Sequence, residues 1–163
     1  MTAKRGARQA MSFMRYLKYW IPVFLWMIVI FWMSTGTFSA QNTALIIEPI
    51  LRFLMPAILP EMIDLIHGAL RKLGHIAEYF VLGILLFRAF RGGSKDLQIP
   101  RWAFSSFFVL VLYAASDEFH QSFVSARTAS LCDVGFDLLG GIIALVASAW
   151  LHLSRSRKLL VSK

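Results

Sequence analysis

Residues 19–35 read YWIPVFLWMIVIFWMST, a run without a charge. Coiled as a helix it reaches most of the way across a bilayer, whose hydrocarbon core takes roughly 20 helical residues. In lipid such a segment needs only its own backbone hydrogen bonds, and this restricts it to a helix or a closed barrel. Three further segments, 69–87, 102–119 and 133–151, can also cross as helices, though each contains charged residues. Of the 163 residues 58% are hydrophobic and only 16% charged, too little polar surface to wrap a water-soluble core of this size. The expected fold is all-α, a polytopic membrane bundle of four transmembrane helices. The second span is the weakest, because its continuous apolar part, YFVLGILLF, is short. To cross, it must carry Gly74, His75 and Glu78 to the bilayer edge or below.

The first span resembles a signal peptide in its basic start and apolar core. The following TGTFSAQ is a poor small-x-small cleavage site, so the segment is expected to stay as a span. Residues 41–68 hold Pro49, Pro56 and Pro60 between apolar stretches such as TALIIE and EMIDLIH. They read as broken amphipathic helices lying on the outer surface between the first two spans, in the manner of a lid. A single cysteine, Cys132, excludes an intrachain disulfide.

The net charge of +8 raises the question of nucleic acid. Its distribution answers it. With four spans, the N-terminus, the 88–101 loop and the C-terminal tail share one side. Thirteen of the 17 Lys and Arg residues lie there, leaving Arg52, Arg71, Lys72 and Arg127 for the other. By the positive-inside rule both termini are cytoplasmic, and the basic excess is a topological signal, with no nucleic-acid partner expected. Residues 1–18 then form a basic cytoplasmic N-terminus, 19–151 the transmembrane domain and 152–163 a basic tail. Trp20, Trp102 and Trp150 fall at the inner interface, where amphipathic rings settle.

The acids occupy the opposite end. Of nine Asp and Glu residues, only Asp96 falls on the basic side. At about 100° per residue, Arg71, His75, Glu78 and Leu82 form one stripe on span two, flanked by Lys72 and Tyr79. On span three Asp117 and Gln121 lie together, with Glu118 and His120 to either side and Phe119 pointing away. On span four Asp133, Asp137, Gly140, Gly141, Ala144 and Ser148 share a face whose small residues admit a close neighbour. All three stripes are polar at the outer end. Ionisable groups at that depth are expensive and face the bundle interior in pairs. Salt bridges of Arg71 or Lys72 with Glu78, and of Arg127 with Asp133, explain part of the pattern as packing alone. A shared site explains the whole set.

Two blocks, RKLGHIAEYFVLG and SDEFHQSFVSARTASLCDVGFDLLGG, in this order and at this separation, resemble the signature of the VanZ-like family of bacterial membrane proteins. The resemblance runs from about Met33 to Ile143 and includes MSTGTFS after the first span. It implies a bacterial inner (cytoplasmic) membrane protein, and the family's name comes from a protein linked to low-level teicoplanin resistance. Carried over by position, the pattern marks Lys72, His75, Glu78, Tyr79, Asp117, Glu118, His120, Gln121, Arg127, Asp133 and Asp137. One departure is visible: Ser125–Ala126 stand where the family often has Pro-Gly before the arginine.

Chemistry follows from the groups. Lys72 and Arg127 suit an anionic headgroup, with Tyr79, Gln121, Asp133 and Asp137 completing the binding set. His75, Glu78, Asp117, Glu118 and His120 suit proton movement. The partner expected is a membrane lipid or a lipid-linked cell-wall precursor entering from the outer leaflet. A metal bound by His75, Glu78, Glu118 and His120 is a variant that spacing alone does not select, and no cofactor is readable from the sequence. Ser116, Ser122 and Cys132 form no recognisable nucleophile elbow. A non-catalytic protein that sequesters a precursor, or a bundle acting through protein partners, fits the same residues. Proton-coupled transport fits least, because spans two and three carry no polar stripe in their cytoplasmic halves.

Overall fold

The computed structural model describes residues 2–35, 40–94, 98–124 and 130–161. These form five helices: α1 (Thr2–Met33), α2 (Ala40–Leu54), α3 (Pro60–Arg91), α4 (Ile99–Gln121) and α5 (Leu131–Val161). All but α2 contain a segment long and apolar enough to cross a membrane. Among the described residues there is no strand.

The central helix is α3, which packs on each of the others and most extensively on α5. It is also where the structure departs from expectation. Residues 60–68 are not a separate piece: they run without a break into the helix of the second span. Pro60 sits at the helix start, where its missing N–H costs nothing, Glu61 follows in the first turn, and no breaker intervenes before the end. The helix stops at Gly92, whose left-handed φ of 56° lets its N–H reach the carbonyl of Arg88 as a glycine cap does. Residues 40–54 likewise form one helix with Pro49 inside it, not broken pieces. Pro22 lies inside α1, because the helix begins well before the apolar run.

Lipid offers no hydrophobic drive for helices to associate, so close backbone approach and interhelical hydrogen bonds must hold the bundle. Both are present. A side chain at Gly140 would run into the Ile76 carbonyl of α3, and one at Gly83 would meet Ala144 and the Gly141 carbonyl. The stripe of small residues on α5 is therefore the surface on which α3 lies. Around that contact Leu82, Leu86, Leu110, Ala114 and Leu145 form the core, with Val23 and Ile30 of α1. Trp26 donates its indole N–H to the Glu78 carbonyl at 2.9 Å, and Tyr113 donates its hydroxyl to the Met27 carbonyl at 2.5 Å. These two bonds tie α1 to α3 and to α4. The opposite helix faces expose Phe24, Ile28, Phe104, Phe108, Ile142 and Val146, as a lipid-facing surface does.

The packing sets the helix directions. Trp20 packs on Phe90, Tyr19 on Arg88 and Trp102 on His152 at one end, while Ser34 bonds Asp117 and Arg71 bonds Asp133 at the other. Trp102 is a packing residue: it is buried and set edge-on to Phe87 and His152. Trp150 is exposed.

Candidate functional site

The polar end begins with the α3–α5 seam. Glycine contact draws the two backbones together at Ile76 and Gly140, so His75, just before Ile76, and Asp137, one turn before Gly140, face each other at hydrogen-bonding range. His75 Nδ1 lies 2.9 Å from Asp137 Oδ1, with both side chains buried. A carboxylate oxygen accepts, so the proton of this bond sits on Nδ1 and Nε2 becomes the basic ring nitrogen. One further turn out, Arg71 Nη2 donates to Asp133 Oδ2 at 2.6 Å. The arginine is about a third exposed while the aspartate is buried. The pairing differs from the one expected from sequence: Arg71 meets Asp133 across the seam rather than Glu78 on its own helix. Seven residues separate Arg71 from Glu78, roughly 10 Å of helix rise, too far for a contact along one helix.

A second network comes from α1 and α4. Ser34 donates to Asp117 Oδ1 at 2.6 Å, and Gln121 donates from Nε2 to Asp117 Oδ2 at 3.0 Å. Asp117 and Gln121 are both buried. Glu118, on the adjoining face, accepts from the Ser130 backbone N–H at 2.7 Å. Ser130 also receives the Cys132 N–H on its hydroxyl, and this fixes the entry into α5. Phe119 points outward and is exposed.

Between the networks lies a cavity of about 150 Å³, bordered by Ser34, Thr43, Arg71, His75, Glu78 and Gln121 together with Met33 and Gly74. Pockets for drug-sized ligands run to roughly 300–1,000 Å³, so this space admits only a small polar group. Among the described residues several buried polar atoms at this end have no hydrogen-bond partner: Asp137 Oδ2, Glu118 Oε1, His120 Nδ1 and the Tyr79 hydroxyl. Buried polar atoms are almost always satisfied, and each exception calls for a reason.

The structure thus brings together His75, Glu78 and Gln121 at the cavity, with Asp117, Asp133 and Asp137 bonded directly behind its lining. Others stand apart from it. Lys72 is exposed on α3 with its ammonium 5.2 Å from the Phe136 ring centroid. His120 packs against Phe31 with ring centroids 4.4 Å apart and the planes tilted, and Tyr79, expected to flank the stripe, is wholly buried in the core beside Tyr113. Arg127 lies outside the described residues, as do residues 36–39 of MSTGTFS. Among the described residues no three His, Cys, Asp or Glu side chains are grouped to hold a metal ion. The variant set of His75, Glu78, Glu118 and His120 is not assembled: His75 is turned to Asp137 and His120 to Phe31. Two residues gain importance from the structure. Ser34 was visible only as part of a serine-rich stretch, and Arg71 as a member of a stripe.

A helical, multi-pass membrane protein with a cluster of ionisable side chains at one end of its bundle is the class these observations define. Within that class the chain belongs to the VanZ/LLP1 family, whose model matches residues 19–152. No curated protein and no solved structure matches it.

Proposed function

We propose that the polar end of the bundle faces the outer leaflet, with both termini cytoplasmic, and takes the anionic headgroup of an envelope lipid or lipid-linked wall precursor. The observation that bears this reading is a cavity bordered by both Arg71 and His75, the latter backed by the buried Asp137. Arg71 commits one nitrogen to Asp133, and a guanidinium keeps further donors for a phosphate oxygen. Asp137 orients the His75 ring and would stabilise it once protonated, leaving Nε2 to take a proton from a headgroup hydroxyl or a water. A base so placed contributes roughly 10²–10⁴ in rate. Ser34, Gln121 and Asp117 hold α1 and α4 around the cavity. The family resemblance joins this site to the wall precursors that glycopeptides target, so an effect on teicoplanin susceptibility is the expected phenotype.

A non-catalytic binder is the second reading, favoured by one observation. The carboxylates of Asp117, Glu118, Asp133 and Asp137 each already hold a protein partner, as in a network built for packing. Mass spectrometry of lipids retained by the purified protein separates the two. The wild type should retain an anionic lipid that Arg71→Gln loses. His75→Gln should keep that lipid but fail to convert it or to alter teicoplanin tolerance in a sensitive host. If His75→Gln alters tolerance as the wild type does, the site is a binder. Equal lipid profiles in all three proteins would end the headgroup proposal.

A further inference from the structure

At the opposite end of the bundle α3 and α5 part to leave a second cavity, of about 160 Å³. Arg88 and Arg91 project from α3 at an i, i+3 spacing. Ser148, His152 and Arg155 project from α5 at i, i+4 and i+7, so each set occupies one helix face. Three guanidinium groups therefore border one small space, and among the described residues no carboxylate lines it. The positive-inside bias accounts for arginines at this end of the chain, but not for their convergence on a concave surface. Helix ends supply at most about half a charge each, too little to neutralise three cations.

The arginines are also positioned. Arg88 sits 5.5 Å from the centre of the Tyr19 ring. Arg91 Nη1 lies 3.2 Å from His152 Nδ1, and since arginine has only donors, the imidazole nitrogen accepts. His152 is buried and packs edge-on against Trp102, so this contact braces one side of the arginine. Arg91 Nε is buried with no partner among the described residues. Ile84 and Leu151, which border the same cavity, are partly open to the bilayer, and Trp150 beside them is exposed. The space thus has a cationic rim and an apolar side that faces lipid tails.

We infer that this cavity is a binding site for the phosphate of an anionic phospholipid from the leaflet at the basic end, held by Arg88, Arg91 and Arg155. Basic pockets between membrane helices on this side take anionic headgroups for the same electrostatic reason. The exposed apolar wall favours a lipid over a soluble phosphate, because acyl chains continue along Ile84 and Leu151 where a soluble ion gains nothing.

The test is native mass spectrometry of the detergent-solubilised protein titrated with phosphatidylglycerol or phosphatidylcholine. Phosphatidylglycerol should bind at least about tenfold more tightly. Arg155 is exposed and can be lost without disturbing packing, so Arg155→Gln should fold normally and weaken phosphatidylglycerol binding about tenfold, roughly 1.4 kcal/mol. Arg88→Gln combined with Arg155→Gln should weaken it about a hundredfold. Arg71→Gln, at the other end of the bundle, should leave the Arg155-dependent binding unchanged even where it removes a lipid held at the polar end, which keeps the two sites separate. Equal affinity for the two lipids, unchanged binding in Arg155→Gln, or loss of the Arg155-dependent binding in Arg71→Gln would overturn the assignment. Equally strong binding of inorganic phosphate at millimolar concentration would overturn the lipid as its source.

Discussion

The glycine at position 140 offers the sharpest test of how the polar end is built. A Cβ there would lie 2.9 Å from the Ile76 carbonyl carbon and 3.0 Å from its Cα, and closer still to the oxygen. Backbone cannot rotate aside as a side chain can, so Gly140→Ala must push α5 from α3 by roughly 1 Å to restore ordinary contact with that oxygen. His75 precedes Ile76, and Asp137 lies one turn before position 140. Their 2.9 Å bond would stretch to roughly 3.9 Å, past the reach of a hydrogen bond. Overpacking costs about 1–3 kcal/mol and the lost bond about 1 kcal/mol. At about 2–4 °C per kcal/mol for a chain of this size, the midpoint of thermal unfolding in detergent should fall by roughly 4–16 °C. Gly135→Ala is the matched control: the same helix and the same added methyl, but nothing within 4 Å of it. Its effect should stay within about 0.5 kcal/mol, or roughly 2 °C. If Gly140→Ala melts with Gly135→Ala, the close-approach account of the α3–α5 seam is wrong.

Other substitutions probe single links. Arg71→Met leaves the buried Asp133 without its cation; allowing for the partial exposure of Arg71, the loss should be about 1–3 kcal/mol. Adding Asp133→Asn should restore most of it, a coupling that denaturant or thermal unfolding of the full mutant cycle measures. Ser34→Ala removes one of the two side-chain donors to Asp117 and should cost about 1–2 kcal/mol, with Ser34→Thr recovering it. Trp26→Phe deletes the bond to the Glu78 carbonyl but leaves an acceptor already served within its helix, so its cost should be smaller, about 0.5–1 kcal/mol in the same melt.

The stripes on α3, α4 and α5 were legible because helical periodicity is local: three or four residues fix which side chains share a face. Asp117 with Gln121, and Asp133 and Asp137 in line with Gly140, needed no knowledge of neighbours. Partners are a different matter. Pairing Arg71 with Asp133 depends on the register between two helices, set by backbone contact at Gly140, and a sequence displays that only as a run of small residues. Tyr79 shows the same limit, since its position beside the stripe could not tell a cavity wall from the core. The start of α3 was misplaced because hydropathy marks where a helix becomes apolar, not where it begins. Ser34 gave a signal too weak to rank, one hydroxyl in a serine- and threonine-rich stretch, until its bond to Asp117 singled it out.

The account rests on the polar end opening to the outer side and the arginine-lined end to the cytoplasm. The chain carries its own probe of this, because its one cysteine, Cys132, is exposed at the start of α5, next to Asp133. Labelling with a membrane-impermeant maleimide, in bacterial spheroplasts expressing the unmodified protein, reads the orientation directly. Cys132 should be modified while the membrane is intact. Modification only after permeabilisation would place the polar cavity in the cytoplasm and contradict the account at both ends of the bundle.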